Sequence, residues 1–154
     1  MNALLDNRVP PPLVALLCAI GAWRVSVATK ATALAFEPLL WLAVILCVAG
    51  PLTALAGMLE FRRQRTTVNP LAPDKATSLV SGGVFQYTRN PMYVGLAILL
   101  AGIGLALGNW LAFLWLLLFV LYIQLFQIYP EERAMLALFG DQFKTYCAKA
   151  RRWL

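Results

Sequence analysis

Four runs of apolar residues, at 12–29, 38–58, 91–107 and 110–128, constrain this chain more than any other feature. A helix that crosses a bilayer needs about 20 largely apolar residues, because without water every backbone N–H and C=O must be satisfied inside the segment itself. Each run approaches that length. Only 13% of the residues are charged, against roughly 25% in a soluble domain, so there is too little polar surface to dissolve the chain. The expectation is an all-α integral membrane protein, a single domain over 1–154 with four transmembrane helices, with 60–90 and 129–154 on the cytoplasmic side. Arg8 is the single basic residue of 1–12, and no small-residue cleavage site follows the first apolar run. The first helix is therefore expected to stay attached and not to act as a removable signal peptide.

Basic loops stay on the cytoplasmic side of a membrane. Arg62, Arg63, Arg65, Lys75 and Arg89 lie between the second and third runs, and Arg133, Lys144, Lys149, Arg151 and Arg152 follow the fourth. An even number of crossings, with both termini cytoplasmic in the inner membrane, satisfies both groups at once. The net charge of +6 then reflects topology and contact with anionic lipid; no nucleic-acid partner is expected. Cys18, Cys47 and Cys147 show no ligand spacing and read as small apolar residues. Histidine is absent, which removes the commonest metal ligand and general base, and no metal is expected.

The chain turns polar from residue 60 to residue 89, with Pro70, Pro73 and the pair Gly82, Gly83. Connections that long are usually functional or disordered, but Leu79, Val80, Val84 and Phe85 are too apolar for disorder. A structured elbow lying at the membrane interface is expected there. Asn90 and Pro91 suit the N-cap and first position of the third helix. Gly108 and Asn109 allow only a tight turn before the fourth helix, and Gly104 with Gly108 suits close helix contact. Pro130 is expected to open a further helix carrying Glu131 and Glu132 in its first turn, where the helix dipole favours acids. Met135, Leu138, Phe139, Phe143 and Tyr146 then recur at helical spacing, which predicts an amphipathic C-terminal helix packed on the membrane surface or the elbow and broken near Gly140.

These features alone leave three function classes open: an enzyme with its site between the two cytoplasmic segments, a non-catalytic scaffold, and a small four-helix exporter. An exporter needs a carboxylate within the membrane, and Asp6, Glu37, Glu60, Asp74, Glu131, Glu132 and Asp141 all fall at or beyond the ends of the apolar runs.

Taken in order, residues 79–85 (LVSGGVF), residues 89–95 (RNPMYVG), Glu131-Glu132 with Leu136, Phe139 and Gly140, and then Tyr146 resemble the isoprenylcysteine carboxyl methyltransferase and phospholipid methyltransferase superfamily. The resemblance runs over 67–152. It implies an integral membrane methyltransferase that uses S-adenosylmethionine, yields S-adenosylhomocysteine and has no Rossmann domain. Carried over by position, Thr77, Ser78, Leu79, Val80 and Phe85 would line the cofactor site, Asn90, Pro91, Met92 and Tyr93 would close on it, and Glu131 would hold one of its polar groups. Arg89 and Gln127 would position the substrate. Prenylcysteine enzymes have His where this chain has Asn90, Tyr where it has Phe85 and Arg where it has Gln127. A neutral amide cannot neutralise a carboxylate as a guanidinium can, so the implied acceptor is a small or lipidic molecule whose nucleophile is an amine, thiol or phenol.

Overall fold

The computed structural model of the protein describes residues 6, 8–29, 37–64 and 78–154; Thr77 and the basic residues Lys30, Arg65 and Lys75 lie outside them. The described residues form five α-helices: α1 (Pro11–Ala28), α2 (Glu37–Arg63), α3 (Pro91–Ala106), α4 (Ala112–Ile123) and α5 (Tyr129–Lys149). Between residue 78 and α3 the chain is irregular apart from one 3₁₀ turn, Gly83–Gln86. Among the described residues the only β pairing is a single bridge between Thr88 and Arg151.

Among the described residues, three helical stretches are long and apolar enough to cross a membrane: α1, Leu39–Arg63 within α2, and the continuous run Ala112–Lys149. The expected third crossing is helical but has 16 residues, about 24 Å at 1.5 Å per residue, less than the roughly 30 Å of a hydrocarbon core. α2 overshoots its apolar run and carries Glu60 and Phe61 into the polar segment while continuing through Pro51.

Helix contacts are set by small residues, though not at the pair the sequence suggested. A methyl group added at Gly95 would stand 2.5 Å from the Gly50 carbonyl oxygen, and one at Gly50 would stand 2.6 Å from that of Gly95. The backbones of α2 and α3 therefore touch where the two glycines cross. Gly104 instead meets the Phe113 ring at 3.4 Å, an ordinary contact across the α3–α4 hairpin. α1 lies on the other side, where Val14, Ala15 and Cys18 join Tyr93, Leu100, Phe119, Ile123 and Ile128 in one buried cluster.

A second cluster closes the polar end. Gly140 (φ 50°, ψ −121°) breaks the helical path of α5, in a region of backbone space that only glycine enters cheaply. Beyond it, Phe143, Tyr146 and Ala150 pack on Val80 and Phe85 of the elbow, with Phe61 of α2 against them. Of the two surfaces expected for the amphipathic tail, it thus packs on the elbow, while Leu138 of its apolar stripe stays exposed.

Candidate active site

The junction between α4 and α5 is shaped by Pro130. A proline has no N–H for the carbonyl four residues back, so a regular helix cannot pass it unchanged. The chain does not stop and restart there, as the sequence reading had it. It widens into a π turn over Gln124–Ile128, in which the Tyr129 N–H reaches back five residues to the Gln124 carbonyl. π turns recur at functional sites because the extra residue re-aims its neighbours. Here Gln127 and Ile128 are turned fully inward, each with no exposed surface. Gln127 Nε2 donates to the Val9 carbonyl oxygen at 2.8 Å, while its Oε1 is buried with no partner among the described residues.

One turn on, the two acids separate. The Tyr93 hydroxyl of α3 donates to Glu131 Oε1. Glu131 keeps a solvent-accessible edge, yet burial pushes its carboxyl up to about 8, the bond from Tyr93 opposing and the nearby Glu132 reinforcing the rise. Glu132 faces two cations: Arg89 Nη2 reaches Oε1 at 2.8 Å, and Arg152 donates from Nε to Oε1 at 2.9 Å and from Nη2 to Oε2 at 2.7 Å. Burial alone would raise this carboxyl, but the hydrogen bonds from Arg152 and Arg89 outweigh it and hold the group below its ordinary range. Adjacent helical residues point about 100° apart, so one acid faces α3 and the other the elbow.

The remaining predicted residues fall into two groups. Leu79, Val80 and Phe85 belong to the elbow cluster, where the Phe85 ring meets Phe61 edge-on at 5.2 Å. Ser78 beside them has a buried hydroxyl without a partner among the described residues. Pro91 and Met92 pack against Gly57 of α2. Asn90 occupies the N-cap position of α3 but makes no side-chain cap; its Nδ2 donates instead to the Arg152 carbonyl at 2.8 Å. Arg89 is spent on the tail as well, with Nη1 on the carbonyls of Cys147 at 3.2 Å and Ala150 at 2.7 Å. Tyr93 and Glu131 are brought together from helices far apart in sequence.

A profile of the phospholipid methyltransferase family matches residues 38–142, more than half of the chain. The chain belongs to this family. It is 44% identical over 63 residues to an uncharacterized protein of Haemophilus influenzae, across 41% of this chain and all of that protein. It is also 38% identical over 74 residues to the protein-S-isoprenylcysteine O-methyltransferase of Schizosaccharomyces pombe, across 46% of this chain and only 30% of the yeast protein. The phospholipid methyltransferase match takes in α2, which lies before the 67–152 stretch that carried the resemblance, and ends inside the second half of α5. Both comparisons point to a membrane methyltransferase.

In this member of the phospholipid methyltransferase family, the sequence did not disclose which residues the predicted site residues would meet. Glu60 ends against the elbow, where a methyl group on Gly82 would lie 3.1 Å from its Oε1 and one on Gly83 2.9 Å from its Oε2. The Gly82-Gly83 pair, with Gly83 at φ 56°, could have signalled such a close approach. No local signal marks Val9 as the partner of Gln127, or Arg152 as the partner of Asn90 and Glu132.

Proposed function

We propose that this chain is an integral membrane methyltransferase of the inner membrane that moves a methyl group from S-adenosylmethionine to a small or lipidic acceptor on the cytoplasmic side. The Tyr93–Glu131 pair carries this reading. A family match spanning both residues, and a carboxyl that burial raises to about 8 where α5 meets α3, support it, since perturbed carboxyls cluster at functional sites. The residues suit such a cofactor: the unpartnered Ser78 hydroxyl and the Glu131 carboxyl offer hydrogen bonds, and Leu79, Val80 and Phe85 form an apolar bed. Thr77, outside the described residues, belongs to the same proposed set, as do Asn90, Pro91 and Met92.

S-adenosylmethionine, when bound, supplies an electrophilic methyl group on a sulfonium. The chain's own work is orientation and exclusion of water. Tyr93 fixes Glu131 in one orientation. Such fixing favours an in-line displacement through proximity, and neither of these contributions needs an imidazole. A dry site also favours a transition state in which the sulfonium charge disappears.

Gln127 bears on the acceptor. One N–H of its amide donates to the Val9 carbonyl, and its oxygen, buried without a partner among the described residues, accepts and cannot donate. Such a group recognises an N–H or O–H and repels a carboxylate. The acceptor nucleophile is therefore an amine, thiol or phenol, and Arg89, committed to the elbow and tail, acts on it only through the site's shape. Purified protein given labelled S-adenosylmethionine should transfer label to a bacterial lipid extract and spare a prenylcysteine analogue; Gln127→Leu should lose the transfer while still binding S-adenosylhomocysteine. Efficient, saturable methylation of the prenylcysteine carboxylate would contradict the acceptor assignment.

A further inference from the structure

Residues 150–154 lie beyond the stretch that the family profile matches, yet they are built into the same junction as Tyr93 and Glu131. The backbone of Arg151 is paired with the elbow: the Arg89 N–H donates to its carbonyl at 2.8 Å, and its own N–H donates to the Tyr87 carbonyl at 3.3 Å. The Arg152 carbonyl accepts from Asn90 Nδ2 at 2.8 Å and from Thr88 Oγ1 at 3.3 Å. The Arg152 guanidinium meets both oxygens of Glu132 and lies 5.1 Å from the centre of the Tyr129 ring. Trp153 Nε1 donates to Gln124 Oε1 at 2.7 Å. Arg152 thus holds with its backbone the last residue before α3, and with its side chain the first turn of α5. Tyr93 and Glu131 project from those two helix starts.

We infer that Arg152 is a positioning residue of the methyl-transfer site: by tying Asn90 to Glu132 it sets the spacing and rotation between the starts of α3 and α5, and so the place of the Glu131 carboxyl. This rests on the reading that Glu131 holds the cofactor. Fixing Glu132 against 150–154 leaves Glu131, about 100° round the helix, turned toward α3. Arg89 alone does not supply that constraint, since it gives Glu132 one hydrogen bond and spends Nη1 on backbone carbonyls. A two-pronged guanidinium–carboxylate pair fixes orientation where a single bond leaves rotation free.

The charges facing the two acids give this role a signature. Glu132 faces Arg89 from the elbow and Arg152 from residues 150–154, with Tyr129 and Cys147 near the latter; Glu131 faces Tyr93 from α3 and Glu132 along its own helix. Arg152 balances charge on Glu132 that otherwise acts on Glu131. Without it, Glu131 takes up charge only at a higher pH, a displacement that a merely loosened fold does not produce.

The test is calorimetric titration of S-adenosylhomocysteine into the 154-residue chain in detergent, across mildly acid to mildly alkaline pH. Arg152→Ala should bind about tenfold or more weakly, the scale of one lost charged hydrogen bond, and should reach its full affinity at a higher pH than the unmodified protein. Arg152→Lys should recover part of both, and Lys144→Ala, whose exposed pair with Asp141 lies away from the junction, should match the unmodified protein. Arg152→Ala binding with unchanged affinity and pH dependence would overturn the inference. If Arg152→Ala does not fold, Arg152→Lys decides by the same two measures. No binding by the unmodified protein would overturn the methyltransferase reading beneath, a result distinct from indifference to residue 152.

Discussion

Removing the charge from Glu131 and from Glu132 should alter this protein in opposite directions. The Glu131 carboxyl stands at about 8 in the folded protein, above its ordinary 4.5, chiefly through burial. The folded state holds a proton that the unfolded chain has released, so the stability of the ligand-free protein falls as pH rises from about 4.5 to about 8 and levels off above. Glu131→Gln cannot ionise, so thermal unfolding followed over that range should show a shallower decline and a higher melting temperature on the alkaline side. Above about pH 8, where Glu131 is ionised, the same variant should weaken S-adenosylhomocysteine binding by about 1.5 to 3 kcal/mol, the scale of a hydrogen bond to a charged group. Glu132 behaves inversely. Its carboxyl is held low by Arg152 and Arg89, so its contribution is present at neutral pH and lost as pH falls through that lowered range. Glu132→Gln leaves the largely buried Arg89 guanidinium, and the partly exposed one of Arg152, short of a counter-charge and should destabilise the protein by about 2 kcal/mol. Equal effects of the two variants on stability would contradict the division of roles.

At the scale of elements, the closest packing is the crossing of α2 and α3 at Gly50 and Gly95. A methyl group there meets backbone and not a movable side chain, so Gly95→Ala should lower stability by about 1 to 3 kcal/mol, read as a drop in melting temperature in detergent; an unchanged melting point would place the contact elsewhere. The start of α3 was legible because Pro91 opens the helix where its missing N–H costs nothing. The start of α5 was not: Pro130 looks like an opening residue, yet α4 on one side and the elbow contacts of α5 on the other keep the chain helical, and the strain is absorbed in the π turn. Asn90 shows the same limit, since a capping side chain was taken by the Arg152 carbonyl across the fold. Gly140 broke α5 as expected, because a Gly-only backbone conformation is a property of the residue itself.

Across the whole molecule, the apolar runs made the helical membrane character readable, and the order of the motifs made the family readable. The pairing of those motifs was not, because Tyr93–Glu131, Gln127–Val9 and Arg152–Asn90 each join residues distant in sequence and carry no local pattern. The proposed topology rests on the basic segments: a reporter after Leu154 and another inserted at Asp74 should both report the cytoplasmic face, and an outer-side signal from either would reverse the proposed orientation. The central claim is that the Tyr93–Glu131 junction holds the cofactor of a methyl transfer. Titrating S-adenosylhomocysteine into the purified protein and into Glu131→Gln, with the heat of binding as readout, addresses it most directly. The account predicts saturable binding of one molecule per chain that weakens by about tenfold or more in the variant; no binding, or equal binding by both proteins, would contradict it.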